Sequence, residues 1–172
     1  MACAMGEPYQ AVSFQAASNG TSGVDPITSD ARFTSSDVSG CIDPLGGAAA
    51  RQRQSLCELV VRFRARYGLG PVKLDLTLDL AAQFHAEDMS ARNYFDHVSP
   101  EGTRVSGRVA NYSSAGSFSN LSENIAVGSS SAETIMNLWI NSPSHRANLL
   151  DPAFHRMGVG AANLYWVQVF SN

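Results

Sequence analysis

Apolar residues recur at the helical period in three stretches of the chain. "RQRQSLCELVVRFRARYGLGP" predicts an amphipathic helix with arginines opposite its apolar face, and Gly68 and Pro71 follow as stop signals. "KLDLTLDLAAQFHAEDMSARN" predicts a short extended entry and then a helix that begins near residues 75–77. In "SSSAETIMNLWI", Ser130 and Glu133 have the spacing of a capping box. The three apolar stripes are Leu56, Leu59, Val60, Phe63 and Tyr67; Leu78, Ala81, Ala82, His85 and Met89; and Ala132, Ile135, Met136 and Trp139.

The end of the chain follows a strand pattern instead. In "RMGVGAANLYWVQVFSN", β-branched and aromatic residues alternate around an Ala-Asn turn, which predicts an antiparallel pair of strands. "NLSENIAVG" adds a short strand-like run. Helices early and strands late in one domain predict an α+β fold. We expect a core that includes Phe63, Leu78, Ala82, Ile135, Met136, Trp139 and Val169.

The chain changes character near residue 43. Residues 10–42 are rich in Ser, Gly, Ala and Thr and show no sustained period, as linkers and poorly ordered arms do. We therefore predict an N-terminal arm over residues 1–42 and a folded domain over residues 43–172. A chain of 172 residues has the length of one ordinary domain.

Charge and composition exclude several classes of function. The formal charge of −3 and the lack of a Lys/Arg run give no reason to expect nucleic acid as a partner. No apolar stretch approaches the roughly 18 residues of a membrane helix. The first residues, "MACAMGEPYQAV", lack the pattern of a secretory signal, so either the chain is not exported or its leader lies outside this sequence. Phosphate-binding and zinc-protease motifs are also missing.

A histidine stands at a break in "NLWINSPSHRANLLDP". Ser142 suits the N-cap, Pro143 suits the first helical position, and the helix should run to Leu150. His145 then takes the third helical position, where the positive end of the helix disfavours its protonation. A neutral imidazole can bind a metal or accept a proton. The alternative is that His145 only hydrogen-bonds a backbone group near the cap.

Other titratable residues compete for a functional role. His97 lies in a loop after an aromatic pair, in "NYFDHVSPEGTR", and Glu123 precedes the strand-like run. Each also has a plain structural interpretation, as a packed loop histidine and as a solvated carboxylate. His85 lies in an apolar stripe, so we expect a core histidine with one satisfied nitrogen. His155, beside an arginine in a loop, has no feature that marks it.

Several fragments together resemble a known family. "LAAQFHAEDMSARNYFDHVSPEGT", "SENIAVG", "LWINSPSHRANLLDPAFHRMGVG" and "YWVQVF" occur in the order and spacing of a bacterial member of the CAP superfamily. That superfamily includes cysteine-rich secretory proteins, antigen 5 proteins and plant pathogenesis-related proteins. The resemblance covers roughly residues 52–172. It implies an α–β–α sandwich, with a small antiparallel sheet between two helical layers.

The resemblance also implies a cleft. Eukaryotic relatives line it with two histidines and two glutamates that can hold a divalent metal. His97 matches the first histidine, and Glu123 matches the glutamate of the Glu-Asn motif. Ser142 and Tyr165 occupy the other two positions, so half of the set is absent. His145, in the Ser-Pro-x-His segment typical of bacterial members, is expected to point into the same cleft.

Two functions of different classes fit this resemblance. The first is a binding module of the cell exterior (secreted, periplasmic or on the surface), monomeric and without a required cofactor. Its partner would be a small apolar ligand, a cell-wall component or a protein. The alternative is a hydrolase that uses His97, His145 and Glu123 on a metal-bound water. We favour binding over catalysis, because the spacing shows no nucleophile–base pair. Any metal, zinc before magnesium or calcium, should be held weakly and through water.

The cysteines give information about the cellular compartment in which the protein works. The chain has three, Cys3, Cys41 and Cys57. Cys41 and Cys57 flank the start of the first helix and can pair in an oxidising compartment, which leaves Cys3 over. The alternative is free thiols, with Cys57 packed beside Leu56. Since eukaryotic relatives have many disulfides and this chain does not, its stability should come mainly from the core.

Overall fold

The computed structural model describes residues 12–13, 38–114 and 117–172. They form five α-helices, one short 3-10 helix (Ser39–Cys41) and five strands within these ranges. The α-helices are α1 (Ala50–Arg66), α2 (Leu76–Arg92), α3 (Val105–Ala110), α4 (Ala132–Ile140) and α5 (Pro143–Leu150). The strands are β1 (Val12–Ser13), β2 (Lys73–Leu74), β3 (Ser122–Val127), β4 (Arg156–Ala162) and β5 (Tyr165–Ser171).

The strands form one sheet in the order β1-β3-β5-β4-β2. The predicted hairpin is confirmed, since β4 and β5 pair antiparallel around a turn in which Asn163 and Leu164 have positive φ. β3 pairs antiparallel with the other edge of β5, so the three central strands form the expected antiparallel sheet. The edge strands differ from that expectation, because β1 and β2 join β3 and β4 in parallel. Each of these edge strands has only two residues, too few for a period to show in the sequence.

Helices cover both faces of the sheet, as an α–β–α sandwich requires. One apolar cluster joins α1, α4 and α5 to residues such as Trp166 and Phe170 of β5. A second joins α2 and α3 to Ile125, Val167 and Val169. All seven residues expected in the core are buried. Tyr67 was predicted to lie on the apolar face of the first helix, but it is 51% exposed. It follows the last residue of α1, and its ring is tilted against that of Phe63.

Helix starts follow the polar signals in the sequence, with two corrections. α2 begins where predicted, and the Asp75 side chain accepts hydrogen bonds from the backbone N–H groups of Thr77 and Leu78. α4 is capped by Ser131 rather than by Ser130, because the Ser131 hydroxyl accepts from the Thr134 N–H. α3 has only six residues, and its short sequence gave no helical prediction.

Most of the predicted arm over residues 1–42 lies outside the described residues, as does Cys3. Within it, Val12 and Ser13 pair with Ala126 and Val127 of β3. Cys41 is buried and forms a disulfide with Cys57, with 5.5 Å between their Cα atoms. The free-thiol alternative for these two residues is therefore wrong, while the domain boundary at residue 43 stays a prediction. Among the described helices, none has the length and apolar character to cross a bilayer.

Candidate functional site

Glu123 lies at the centre of a buried cluster of charged side chains. It is the second residue of β3 and only 5% exposed, so the interpretation as a solvated carboxylate is wrong. His97 Nδ1 lies 2.9 Å from Glu123 Oε1, and Arg108 Nη2 donates a hydrogen bond of 2.5 Å to Oε2. Burial acts to raise the pKa of Glu123, but the hydrogen bond from His97 and the charge of Arg108 outweigh it and lower the pKa.

Arg108 is a site residue that sequence reasoning missed. It comes from α3, the helix that was not predicted, and it is fully buried. Its Nη1 donates to the backbone oxygens of His97, at 3.2 Å, and of Thr103, at 2.9 Å. One guanidinium therefore fixes the loop that carries His97 and neutralises Glu123. The only signal in the sequence was an arginine inside a short apolar segment.

His145 lies at the start of α5 and is fully buried. Its Nδ1 is 2.8 Å from the Ser142 hydroxyl oxygen. Ser142 occupies the N-cap as predicted, but its side chain makes no capping hydrogen bond, because the hydroxyl contacts His145 instead. Within the described part of the chain, His145 Nε2 is buried without a hydrogen-bond partner. The hydrogen bond of the His145 ring is therefore to the Ser142 side chain and not to a backbone group near the cap.

The surroundings of His145 favour the neutral imidazole, as predicted, but the cause differs from the one on which the prediction rested. Burial lowers its pKa to about 4, and the nearby His97 acts in the same direction when protonated. The positive end of the helix, on which the prediction rested, is not needed to explain the shift.

A network of buried amides holds α5 against β3. Asn124 Nδ2 donates to the backbone oxygen of His145 at 3.3 Å and to Gln168 Oε1 at 3.0 Å. Asn148 Nδ2 donates to Asn124 Oδ1 at 2.8 Å. Because Asn124 follows Glu123 in β3, this network fixes His145 relative to Glu123. Polar residues inside the apolar runs "SENIAVG" and "YWVQVF" were the available signal.

A model of the cysteine-rich secretory protein family, CAP, matches residues 57–170. The chain belongs to the CAP family. It is 34% identical over 119 residues to the uncharacterized protein YkwD of Bacillus subtilis (strain 168), covering 68% of this chain and 46% of YkwD. The CAP chain therefore spans less than half the length of that relative.

Solved structures of other bacterial proteins are similar to this CAP domain. An extracellular protein with an SCP domain from Bacillus anthracis str. Ames is 31% identical, with a TM-score of 0.66 over 69% of this chain and 39% of that one. An outer surface protein of Borrelia burgdorferi is 23% identical, with a TM-score of 0.65 over 73% of this chain and 96% of its own. The second likeness shows the fold alone.

The remaining predicted site residues of the CAP domain have different surroundings. Tyr165 is half-buried at the start of β5, and its ring lies 6.4 Å from that of Phe95. His85 is the core histidine that was expected, with Nε2 2.9 Å from the backbone oxygen of Asp96. Burial lowers the pKa of His85 to about 4. His85 therefore contacts the backbone of Asp96, the residue before His97. His155 is exposed.

The resemblance implies a divalent metal held by His97, Glu123 and His145. Both oxygens of Glu123 are engaged, by His97 and by Arg108, so a direct ligand role would require it to leave one of them. Among residues 38–114 and 117–172, no three His, Cys, Asp or Glu side chains are grouped to hold a metal. A metal held through Nε2 of His97 and His145 therefore stays a prediction. Glu123 would then accept a hydrogen bond from His97 Nδ1 and orient the ring, as carboxylates do for metal-binding histidines.

Proposed function

We propose that this CAP domain is an extracytoplasmic binding module and that its ligand occupies the cleft formed by His97, Glu123 and His145. The observation that carries the proposal is the buried Nε2 of His145, which lacks a hydrogen-bond partner within the described residues. A buried polar atom left unpaired costs about 1–3 kcal/mol. A ligand group that pairs with Nε2 would recover this free energy.

Two observations support a location outside the cytoplasm. The disulfide between Cys41 and Cys57 belongs to an oxidising compartment. A similar protein of Bacillus anthracis is extracellular, and one of Borrelia burgdorferi is an outer surface protein. We assign the same side of the membrane to this chain and expect a monomer there.

The polar lining narrows the ligand class. Arg108 neutralises Glu123, so the cleft offers imidazole and hydroxyl groups without a strong net charge. Such a lining suits hydrogen-bonding groups better than a purely apolar ligand. Among the three classes of partner that the resemblance implies, a cell-wall component or a protein therefore fits better than a small apolar molecule.

A metal is a second candidate occupant of the same cleft. Two imidazoles favour zinc over magnesium or calcium, which prefer oxygen ligands. With Glu123 engaged by Arg108, water would complete the coordination and binding would be weak. The metal, when bound, would supply an electrophilic centre next to both histidines.

The hydrolase alternative gains no comparable support. The Ser142 hydroxyl and the His145 imidazole are within hydrogen-bond distance, as in a nucleophile–base pair. However, a histidine with a pKa of about 4 is a weak base at neutral pH.

Cosedimentation with purified bacterial cell walls tests the proposed binding. The intact chain should cosediment, and the double variant His97→Ala, His145→Ala should lose most of the bound fraction. His155→Ala, which removes an exposed histidine outside the site, is the matched control and should bind like the parent. Circular dichroism confirms that each variant is folded. Equal binding by the double variant would exclude the cleft, and failure of the parent to bind would exclude the cell wall.

A further inference from the structure

The structure has a pocket whose lining includes none of His97, Glu123 and His145. It has a volume of about 600 Å³ and is bordered by the loop before α1, the exposed side of α2, the segment after α3 and the turn after β4. This volume is in the range of roughly 300–1,000 Å³ that is typical of small-molecule sites. Its polar and aromatic lining includes Gln52, Gln83, Phe84, Glu87, Tyr112 and Asn163.

The wall of this pocket is fixed by buried interactions. Arg53, which lines the pocket and is almost fully buried, donates from Nε to Asp43 at 2.7 Å and from Nη1 to Gln83 at 3.0 Å. Asp43 also accepts from the backbone N–H of Gly46 at 2.8 Å. The disulfide closes the same loop, from Cys41 to Cys57. The pocket is therefore preorganised by the fold.

Its polar floor is equally fixed. The Gln83 amide donates to Glu87 Oε1 at 2.9 Å and to the Ala161 oxygen at 3.1 Å, and it accepts from the Ala161 N–H at 3.0 Å. Glu87 is exposed, and a carboxylate offers about four acceptor positions. Acceptors in a fixed position thus remain for the hydroxyl groups of a ligand.

Two aromatic rings form the rim. Phe84 is 49% exposed and Tyr112 is 40% exposed, although both have large apolar surfaces. Aromatic side chains at the mouth of a pocket supply contact area with little loss of side-chain entropy. The rings and the fixed acceptors together match a ligand with one apolar face and hydroxyl groups at its edge.

We propose that this pocket binds a neutral pyranose sugar. A pyranose ring presents C–H groups on its face and hydroxyl groups around its edge. An anion is disfavoured, because Asp43 neutralises Arg53 and Glu87 leaves negative charge at the pocket. A purely apolar ligand would cover the remaining acceptor positions of Glu87 without pairing them. The inference does not depend on the proposed function, since the pocket lining includes neither His97 nor His145.

Nuclear magnetic resonance titration of the intact chain with the trisaccharide of N-acetylglucosamine tests this proposal. Saturable shifts should map to the backbone around Phe84, Tyr112 and Gln83. Phe84→Ala and Tyr112→Ala should each weaken binding roughly five- to tenfold, as expected for loss of one aromatic contact. Tyr67→Ala, which removes an equally exposed ring outside the pocket, should leave the affinity unchanged.

The charge of Glu87 allows an experiment to distinguish a neutral sugar from a cationic ligand. Glu87→Gln should change the affinity for the neutral trisaccharide by less than about twofold, because an amide still accepts hydrogen bonds. Glucosamine, whose ammonium group is charged, should gain no advantage over the neutral sugar. Three outcomes would overturn the proposal: no saturable shift up to about 10 mM sugar, an equal loss in Tyr67→Ala, or preferential binding of glucosamine that Glu87→Gln abolishes.

Discussion

At the scale of single residues, Arg108 balances the charge of the buried Glu123. Without it, Glu123 would be a buried carboxylate whose remaining partner is the His97 imidazole. A buried charge that loses its partner is strongly destabilising, because neither water nor a counter-charge compensates it. The same guanidinium binds the backbone of His97, so charge balance and loop position depend on one side chain.

We expect Arg108→Met to lower the free energy of unfolding by about 3–5 kcal/mol, as for other buried ion pairs that lose one partner. Arg108→Lys should recover only part of this loss, because an ammonium group cannot reproduce the planar contacts of guanidinium. Urea denaturation measures both. Arg92→Met is the control, since Arg92 forms its ion pairs on the surface and its loss should matter little. A small loss in Arg108→Met would contradict the assigned role.

The residues of the site differ in how far the sequence predicts them. His97, Glu123 and His145 stand in recognisable motifs, and the structure places His97 against Glu123. Arg108 was missed, because its role depends on a contact with Glu123 across 15 positions of the chain. Local pattern carries no information about such a contact. The low pKa of His145 was predicted in direction, but its cause, burial, depends on tertiary packing.

At the scale of elements, α2 packs against β4 at unusually short distance. A Cβ atom added to Gly158 would lie 2.1 Å from the backbone carbon of Leu78, and one added to Gly160 would lie 2.3 Å from that of Ala82. Such distances are incompatible with the present packing. The two glycines therefore set the separation between the helix that carries His85 and the sheet.

Gly160→Ala should destabilise the domain by about 1–3 kcal/mol or more, because α2 must move away from the sheet. Gly70→Ala provides a matched control, since an added Cβ at Gly70 meets no atom within 4 Å. Thermal unfolding of the two variants gives the comparison. Equal stability of Gly160→Ala and Gly70→Ala would show that α2 and β4 do not pack this closely.

Trp139 anchors α4 to the sheet. It is fully buried, and its Nε1 donates to the backbone oxygen of Ile125 at 3.2 Å. Trp139→Ala should lower the free energy of unfolding by about 3–5 kcal/mol, through the lost apolar contacts and the cavity left behind. Chemical denaturation measures the change. A loss below about 1 kcal/mol would contradict the packing of α4 described here.

Long elements were predicted from their period, whereas the shortest ones, α3, β1 and β2, were not. α1, α2 and the β4–β5 hairpin have enough residues for their period to appear. α3 has too few, and its place depends on Arg108 binding Glu123. β1 and β2 are defined by partners distant in the chain, so their parallel pairing cannot be read locally.

Several buried titratable groups make the stability of the whole molecule depend on pH, and His85, His145 and Asp79 have the largest shifts among them. His85 and His145 have pKa values lowered to about 4, mainly by burial. Between about pH 6.5 and 4, the unfolded chain binds more protons at these positions, so their contribution is lost as the pH falls. Burial raises the pKa of Asp79 to about 7. Between about pH 4 and 7 the folded state holds this proton more tightly, so Asp79 stabilises the fold as the pH falls.

The two histidines outweigh Asp79, so we expect stability to decrease from about pH 6.5 to about pH 4. Asp79→Asn removes the opposing contribution, while its amide oxygen can still accept from the Val159 N–H. The variant should therefore lose stability more steeply over the same range. Urea unfolding at several pH values measures both slopes. A shallower slope in Asp79→Asn than in the parent would contradict the assigned protonation of Asp79.

The central claim for the whole molecule is that two distant segments place His97 and His145 in one cleft. Zinc tests it directly, because one ion can engage both imidazoles only if they converge. Calorimetric titration at about pH 7.5 should show weak binding, because His97 and Arg108 engage both oxygens of Glu123. His97→Ala, His145→Ala should abolish binding, whereas His155→Ala, which removes an exposed histidine, should not. Unchanged binding by the double variant, or none by the parent, would contradict the claim.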